Sequence, residues 1–412
     1  LGDVYKRQGY KMKYDATRKT TVDAWREFRN KCSKRALVIM PVQTGELREF
    51  AIKNNLFVLN LNKELGDAGA GQNISLLEEV LAWLEPNAPV YGWEQGVSED
   101  QFVARVSKSG HPMIPCDWSY NHSLLSLLYE KGREQVLPRI FDPRSIDFKK
   151  KKNFVSFFLS DGDNIQWMMQ DFASRYYDVP EAEDVKMTFG LPVATLAMMA
   201  PVQFNNLMGL QKQNCSLMEM LGGGYYYVDT YSQDHNRKTN LRVAAKRLAV
   251  SMRQYQIKLL GIMAMDVKSE AAKEAYQVYV DANDQLEGIV VLQYSPYAGG
   301  EGEVFWVTNK AGYDIPVITV KYSLWDRIHE REGSPDFIAS KLKEEAQEES
   351  FSVVCVHAWS RFEGDTYGAS AAKRCAERLD DRFEAINMQE LVWRLRMSRR
   401  PEQTLDYLNK IY

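Results

Sequence analysis

"NFVSFFLSDGDN", residues 153–164, runs from a strand-like apolar stretch straight into small and polar residues. Phe154 to Leu159 are mostly bulky and apolar, and Ser160, Asp161, Gly162, Asp163 and Asn164 follow at once. Two acids at the end of a buried strand need a reason. In a (β/α)8 barrel the chemistry stands at the C-terminal ends of the strands, which would give them one. Two plainer readings compete. Asp-Gly is a common turn, and Asp163 or Asn164 could cap the helix suggested by "NIQWMMQDF".

Working downstream, eight strand candidates follow one another: "NFVSFFLS", "VKMTFGLP", "GGGYYYVD", "KLLGIMAMD", "GIVVLQYS", "IPVITVKYS", "FSVVCVHAW" and "RFEAINMQ". Amphipathic stretches separate most of them. The clearest is 240–255, with Leu241, Ala245, Leu248, Met252 and Tyr255 on one helical face. Eight strand–helix units in about 250 residues predict a (β/α)8 TIM-like barrel over 151–412. No glycine-rich phosphate loop follows any of these strands, so an open doubly wound sheet fits less well.

Working upstream, "RALVIMPV" and "LFVLNLN" read as strands, and "GELREFAIKNN" and "NISLLEEVLAWL" as helices. "APVYGWEQG" and "GHPMIPCDWSYN" read as strand ends running into loops. Together they predict a smaller α/β domain over 9–150. Lys149 to Lys152, in "RSIDFKKKKN", mark a solvated linker between the two. The first eight residues, "LGDVYKRQ", look like translated adapter sequence and are left out of the fold reading. Any signal peptide would have stood where they are, so nothing is read from its absence.

Composition narrows the class. The 412 residues are 45% hydrophobic and 26% charged, as in an ordinary soluble globular protein, and the formal charge of −3 offers no nucleic-acid surface. No apolar run reaches the roughly 18 residues of a membrane span. Cys32, Cys116, Cys215, Cys355 and Cys375 are scattered and show neither a zinc spacing nor a disulfide framework. His111, His122, His235 and His329 likewise lack ligand spacing. No metal site and no cofactor is expected.

Other strand ends repeat the opening pattern. Asp229 would close the third strand and Asp266 the fourth; Asp326 lies just after the sixth, and His357 and Trp359 end the seventh. In the first domain Glu94 and Asp117, beside Trp93 and Trp118, end strands and could line a cleft between domains. Glu301 and Glu303 sit in a glycine-bearing loop that is either mobile at the site or merely solvated. In "GGGYYYVDTY", 222–231, Tyr225 and Tyr227 share one strand face and Tyr226 takes the other. Such rings can pave a sugar site or simply pack under helices.

"SDGDNIQW" together with "GGGYYY" resembles the GxGYxYP family of putative glycoside hydrolases, with Gly222, Gly224, Tyr225 and Tyr227 at the named positions and Val228 in place of the final proline. The resemblance extends to "YGWEQG", "CDWSYNHS", "PVITVKYSLW" and "VVCVHAWS". It implies a barrel, a carbohydrate substrate and a secreted or periplasmic setting.

The leading expectation is a glycoside hydrolase using a carboxylate pair, one an acid of raised pKa and the other a nucleophile or base. The candidates are Asp163 and Asp229 first, then Asp161 and Asp266. Tyr225, Tyr227, Trp359, His357, Glu94 and Asp117 would bind substrate. A metal-dependent carbohydrate esterase or deacetylase, and a carbohydrate-binding protein without catalysis, remain open beside it. The partner expected is a carbohydrate, with no nucleic acid and no membrane span.

Overall fold

The computed structural model describes residues 13–412 except 16, 41–44, 61–73, 94–97, 130–135, 140, 162, 234, 296 and 329–331. Every statement below concerns the described residues.

Two sheets carry the fold. In the first, β1 (Leu37–Ile39), β2 (Phe57–Leu59), β3 (Val90–Gly92) and β4 (Met113–Ile114) run parallel in the order β2-β1-β3-β4. Helices Arg48–Asn54, Ile74–Trp83 and Glu99–Lys108 connect them.

The second sheet comprises β5 (Asn153–Leu159), β6 (Thr188–Leu191), β7 (Ser216–Met220), β8 (Leu259–Ala264), β9 (Gly288–Gln293), β10 (Val304–Thr308), β11 (Asp314–Thr319), β12 (Tyr322–Leu324), β13 (Ser350–Val356) and β14 (Phe383–Ala385). Its order is β10-β11-β9-β8-β7-β6-β5-β13-β12, with β14 also paired to β5. All pairings are parallel except β10 with β11. The sheet curls strongly, because β11 and β12 lie near opposite ends of this path yet only two residues apart in the chain. At that joint the Val320 N–H donates to Val291 O in β9, while the Lys321 N–H donates to Val353 O in β13.

Alternation decides which way each side chain points. Phe154 and Phe158 of β5 join Met218, Met220, Leu259, Met263, Val353 and Cys355 in an inner apolar layer. Val155, Phe157 and Leu159 face outward, onto the helices. A strand buried on both faces reads as a continuous apolar run, which is why "NFVSFFL" was legible. Helix Arg237–Gln254 buries Leu241, Ala245, Leu248 and Met252 on the expected stripe.

Two expectations change. The third strand is Ser216–Met220, not "GGGYYYVD"; Leu221 (φ 57°) and Gly224 (φ +104°) turn the chain immediately after it. Tyrosine favours strands, and the run does stay extended enough for isolated bridges, Tyr225 with Met113 and Tyr227 with Met263. It is a connector between the sheets rather than a strand of one. The segment "GEVFW", expected as loop, enters β10, a hairpin partner of β11. The sheet therefore has ten strands rather than eight, with "IPVITVKYS" split into β11 and β12.

The lysine run behaves as a solvated surface. Lys150 pairs with Glu384 and Lys151 with Glu349.

Candidate active site

A cavity of about 590 Å³ opens where the strand ends of the curled sheet meet the first sheet. From the large sheet come Asp161 and Asp163 after β5, Tyr294 and Tyr297 after β9, Trp325 and Arg327 after β12, and His357 and Trp359 after β13. From the other side come Trp93, Glu99, Asp117 and Trp118. Tyr225, from the glycine–tyrosine connector, stands between the two groups.

The connector owes its position to glycine. A Cβ on Gly224 would lie 2.5 Å from Pro112 Cβ and 2.9 Å from Met113 O, so only glycine lets this backbone reach β4. Met113 N donates to Tyr225 O at 3.0 Å, and Tyr225 N donates back to Met113 O at 2.6 Å. So anchored, the Tyr225 hydroxyl donates to Glu99 Oε1 at 2.9 Å. Tyr227 stands behind, its hydroxyl 3.4 Å from that of Tyr225. Its ring meets Tyr225 edge-on and does not line the cavity. Tyr226 faces the other way, against Tyr279.

The β5 loop is held at two points. Asp161 adopts a left-handed backbone (φ 64°) and accepts from Ser160 Oγ at 2.6 Å and from Ala358 N at 3.1 Å. The helix that follows, Ile165–Met168, has Asn164 at its N-cap position without a side-chain cap bond, so neither Asp163 nor Asn164 is spent on capping it. Gln166 then donates to Asp117 Oδ1 at 3.1 Å and accepts from Trp118 N at 3.3 Å, joining this loop to the first-sheet side.

Electrostatics separate the acids. Burial, followed by the nearby charges of Asp161 and Glu99, holds the Asp163 carboxyl well above the usual range. Burial raises Glu99 as well, but the Tyr225 hydrogen bond pulls it back, while the charges of Asp161 and Asp100 push it upward. Burial raises Asp117 against the Gln166 hydrogen bond.

His357 is fixed by a relay. Its Nδ1 lies 3.0 Å from Ser360 Oγ, and Ser360 Oγ donates to Asp326 Oδ1 at 3.2 Å. With the serine proton directed at Asp326, Nδ1 must carry the imidazole proton, which leaves Nε2 as an acceptor. Burial lowers the His357 pKa despite the charges of Asp161 and Asp326, and its ring stacks on Trp325 with centroids 4.4 Å apart.

Residues 151–396 match the model of the "GxGYxYP putative glycoside hydrolase C-terminal domain", and residues 34–127 match that of the "GxGYxYP third domain". The chain belongs to the GxGYxYP family. A solved structure described as a putative hydrolase from Bacteroides thetaiotaomicron VPI-5482 superposes with a TM-score of 0.77 at 18% identity, over 97% of this chain and 73% of that one. At that identity the likeness concerns the fold. No curated protein matches the chain.

Within this GxGYxYP site the residues expected from sequence divide. Asp161, Asp163, Asp117, Tyr225, His357 and Trp359 line one cavity. Asp229 does not: both its oxygens are taken by backbone, accepting from Met265 N at 3.1 Å and Asp266 N at 2.9 Å. Asp266 is exposed and accepts from Lys268 N at 2.9 Å, a turn preceding helix Glu270–Ala282. Glu303 pairs with Lys268 at the surface rather than with the cavity. Glu94 and His329 lie outside the described residues. Among described residues, no group of three His, Cys, Asp or Glu side chains is arranged to hold a metal.

Glu99 was missed. It opens an amphipathic helix after Ser98 and reads as first-turn acid. "Acid in the first turn, no motif" is the whole of its local signal; its partner is 126 positions away.

Proposed function

We propose that the protein is a glycoside hydrolase acting on a carbohydrate chain, with Asp163 as general acid and Glu99 as nucleophile or water-activating base. One observation carries this reading: carboxylates converge on an aromatic-walled cavity, where burial raises Asp163 well above the ordinary carboxylate range and raises Glu99 against the pull of the Tyr225 hydrogen bond. An acid whose proton is held above the ordinary carboxylate range is suited to protonate a leaving oxygen. A carboxylate held by a tyrosine hydroxyl is the better candidate for the charged partner. Asp161, tied to Ser160 and Ala358, shapes the loop, and after burial its charge adds to the rise in the Asp163 pKa. Asp117, Trp359 and Tyr225 would meet sugar hydroxyls and ring faces. His357 would accept a hydroxyl proton at Nε2.

The same reading closes the curled parallel sheet of residues 151–412 into a TIM-like barrel, with the antiparallel β10 as an addition to it, and takes residues 9–150 as a separate α/β domain lending Glu99 and Asp117 to its mouth. The backbone bonds on both sides of the Val320–Lys321 joint support closure, and the family matches at 34–127 and 151–396 support the division. Asp229 and Asp266 are assigned to turn geometry. A metal-dependent esterase is less well supported, since among the described residues no group of three His, Cys, Asp or Glu side chains is arranged to hold a metal.

The test is a screen of the purified protein on polysaccharides, oligosaccharides and aryl glycosides, with and without chelator. Hydrolysis insensitive to chelator supports the proposal. Deacetylation lost on chelation supports the metal reading, and binding without turnover supports a carbohydrate-binding protein.

A further inference from the structure

A second cavity, of about 350 Å³, adjoins the first, and the two share Trp118 and Gln166 as lining residues. That volume is at the lower end of ordinary small-ligand sites. Its walls include Tyr120, Leu128, Met169, Gln170 and Gln203. Large apolar side chains normally turn inward, yet Trp118 is 58% exposed, Tyr120 62% and Leu128 42%. A cluster of exposed rings at the mouth of a pocket marks a binding surface rather than scattered surface residues.

The chemistry of the walls selects the occupant. Aromatic faces suit the C–H faces of a pyranose ring, and side-chain amides suit its hydroxyl edge. Among the described residues, Gln170 and Gln203 stand around this cavity beside Gln166, whose amide is held by Asp117 and Trp118, and no acidic or basic side chain lines it. The main cavity differs, with three Asp, one Glu and Arg327 on its walls. A phosphorylated, sulfated or uronic unit would find no charge partner in the second cavity. A neutral sugar would lose nothing there.

Resting on the glycosidase reading of the main cavity, we infer that the second cavity is a subsite for neutral sugar units of the same chain whose scissile bond lies beside Asp163. Trp118 is the platform over which the chain passes. Gln166 sets that platform, because its Oε1 accepts from Trp118 N while its Nε2 is bound to Asp117. The substrate is then a neutral oligo- or polysaccharide, and monosaccharide glycosides use only part of the site.

The experiment compares wild type with Tyr120→Ala and Leu128→Arg, both at exposed positions outside the main cavity. Turnover is measured on aryl monoglycosides and on neutral cello-, xylo-, malto- and manno-oligosaccharides from disaccharide to hexasaccharide. Binding of the same oligosaccharides to Asp163→Asn, alone and combined with each subsite variant, is measured by calorimetry. In wild type, kcat/KM should rise about tenfold or more with chain length, the scale of one good pocket contact. Both variants should flatten that rise and leave aryl monoglycoside turnover unchanged. An undiminished rise in both variants would overturn the inference while leaving the glycosidase reading intact. So would a gain for long-chain alkyl glycosides in place of oligosaccharides. If nothing is hydrolysed but length-dependent binding is lost in the Tyr120 and Leu128 combinations, the subsite stands and the catalytic reading falls. Absence of length-dependent binding together with absence of turnover overturns both.

Discussion

The Tyr225 hydroxyl donates to Glu99 Oε1 across 2.9 Å, tying the glycine–tyrosine segment of one sheet's connector to a helix that belongs with the other sheet. That bond does two jobs. It orients Glu99 into the cavity, and it favours the charged form of a carboxyl that burial would otherwise neutralise. Tyr225→Phe removes it with little change in volume. The pKa of Glu99 should then rise, so the acidic limb of the kcat/KM profile should move to higher pH. Stability should fall by only about 0.5–1.5 kcal/mol. An unshifted acidic limb would count against Glu99 as the ionised partner.

Gly224 tests the seam itself. Gly224→Ala places a methyl where Pro112 Cβ and Met113 O already stand, at a backbone φ of +104°. The expected cost is about 1–3 kcal/mol, read as a lowered melting temperature, with activity falling as Tyr225 moves from Glu99. A melting temperature equal to wild type would show that the close approach is not required.

Asp229 should separate from the catalytic acids. Asp229→Asn keeps one oxygen for two backbone donors, Met265 N and Asp266 N. Loss of about 1 kcal/mol is expected from the unpaired donor, with turnover per folded molecule retained. A loss of turnover by powers of ten at unchanged stability would return Asp229 to the catalytic group.

Glu219 gives a pH signature unconnected with catalysis. It lies wholly buried on β7, accepts from Ala194 N at 2.9 Å, and burial pushes its pKa up to about 8. The folded state then binds a proton that the unfolded state releases from about 4.5 upward. Its contribution to stability is therefore full at low pH and declines as pH rises from about 4.5 to about 8. Glu219→Gln should lack that decline and gain on wild type as pH increases. The difference between the two melting curves across this range is the measurement; a constant difference would refute the assignment.

The parts legible in sequence share a physical cause. β5, β8, β9 and β13 are buried on both faces, so their apolar runs stand out whatever the helices do. β7 was hidden because "SLMEM" carries a charged residue, Glu219, that folding buries and keeps protonated, while the tyrosines next to it have the stronger strand preference. The Asp161 and Asp163 pair was legible because small polar residues interrupt a core strand. Asp229 looked equivalent by the same rule and proved to be a backbone acceptor, since strand-end position does not say what the carboxylate meets. Glu99 and Trp325 were not legible. Their places at the cavity come from packing between segments far apart in the chain, which no local spacing encodes.

The central claim is that Asp163 delivers the proton to the leaving oxygen, and leaving-group dependence tests it most directly. An activated aryl glycoside, such as a dinitrophenyl glycoside, departs without a proton, whereas a sugar or alkyl alcohol needs one. Turnover of wild type and Asp163→Asn should be measured on both kinds of substrate, with melting temperatures taken alongside. The account predicts unchanged melting, near-normal kcat/KM for the activated glycoside, and loss by powers of ten in kcat/KM on the glycoside whose leaving group is a sugar. Equal turnover by the two proteins on that second substrate would contradict it.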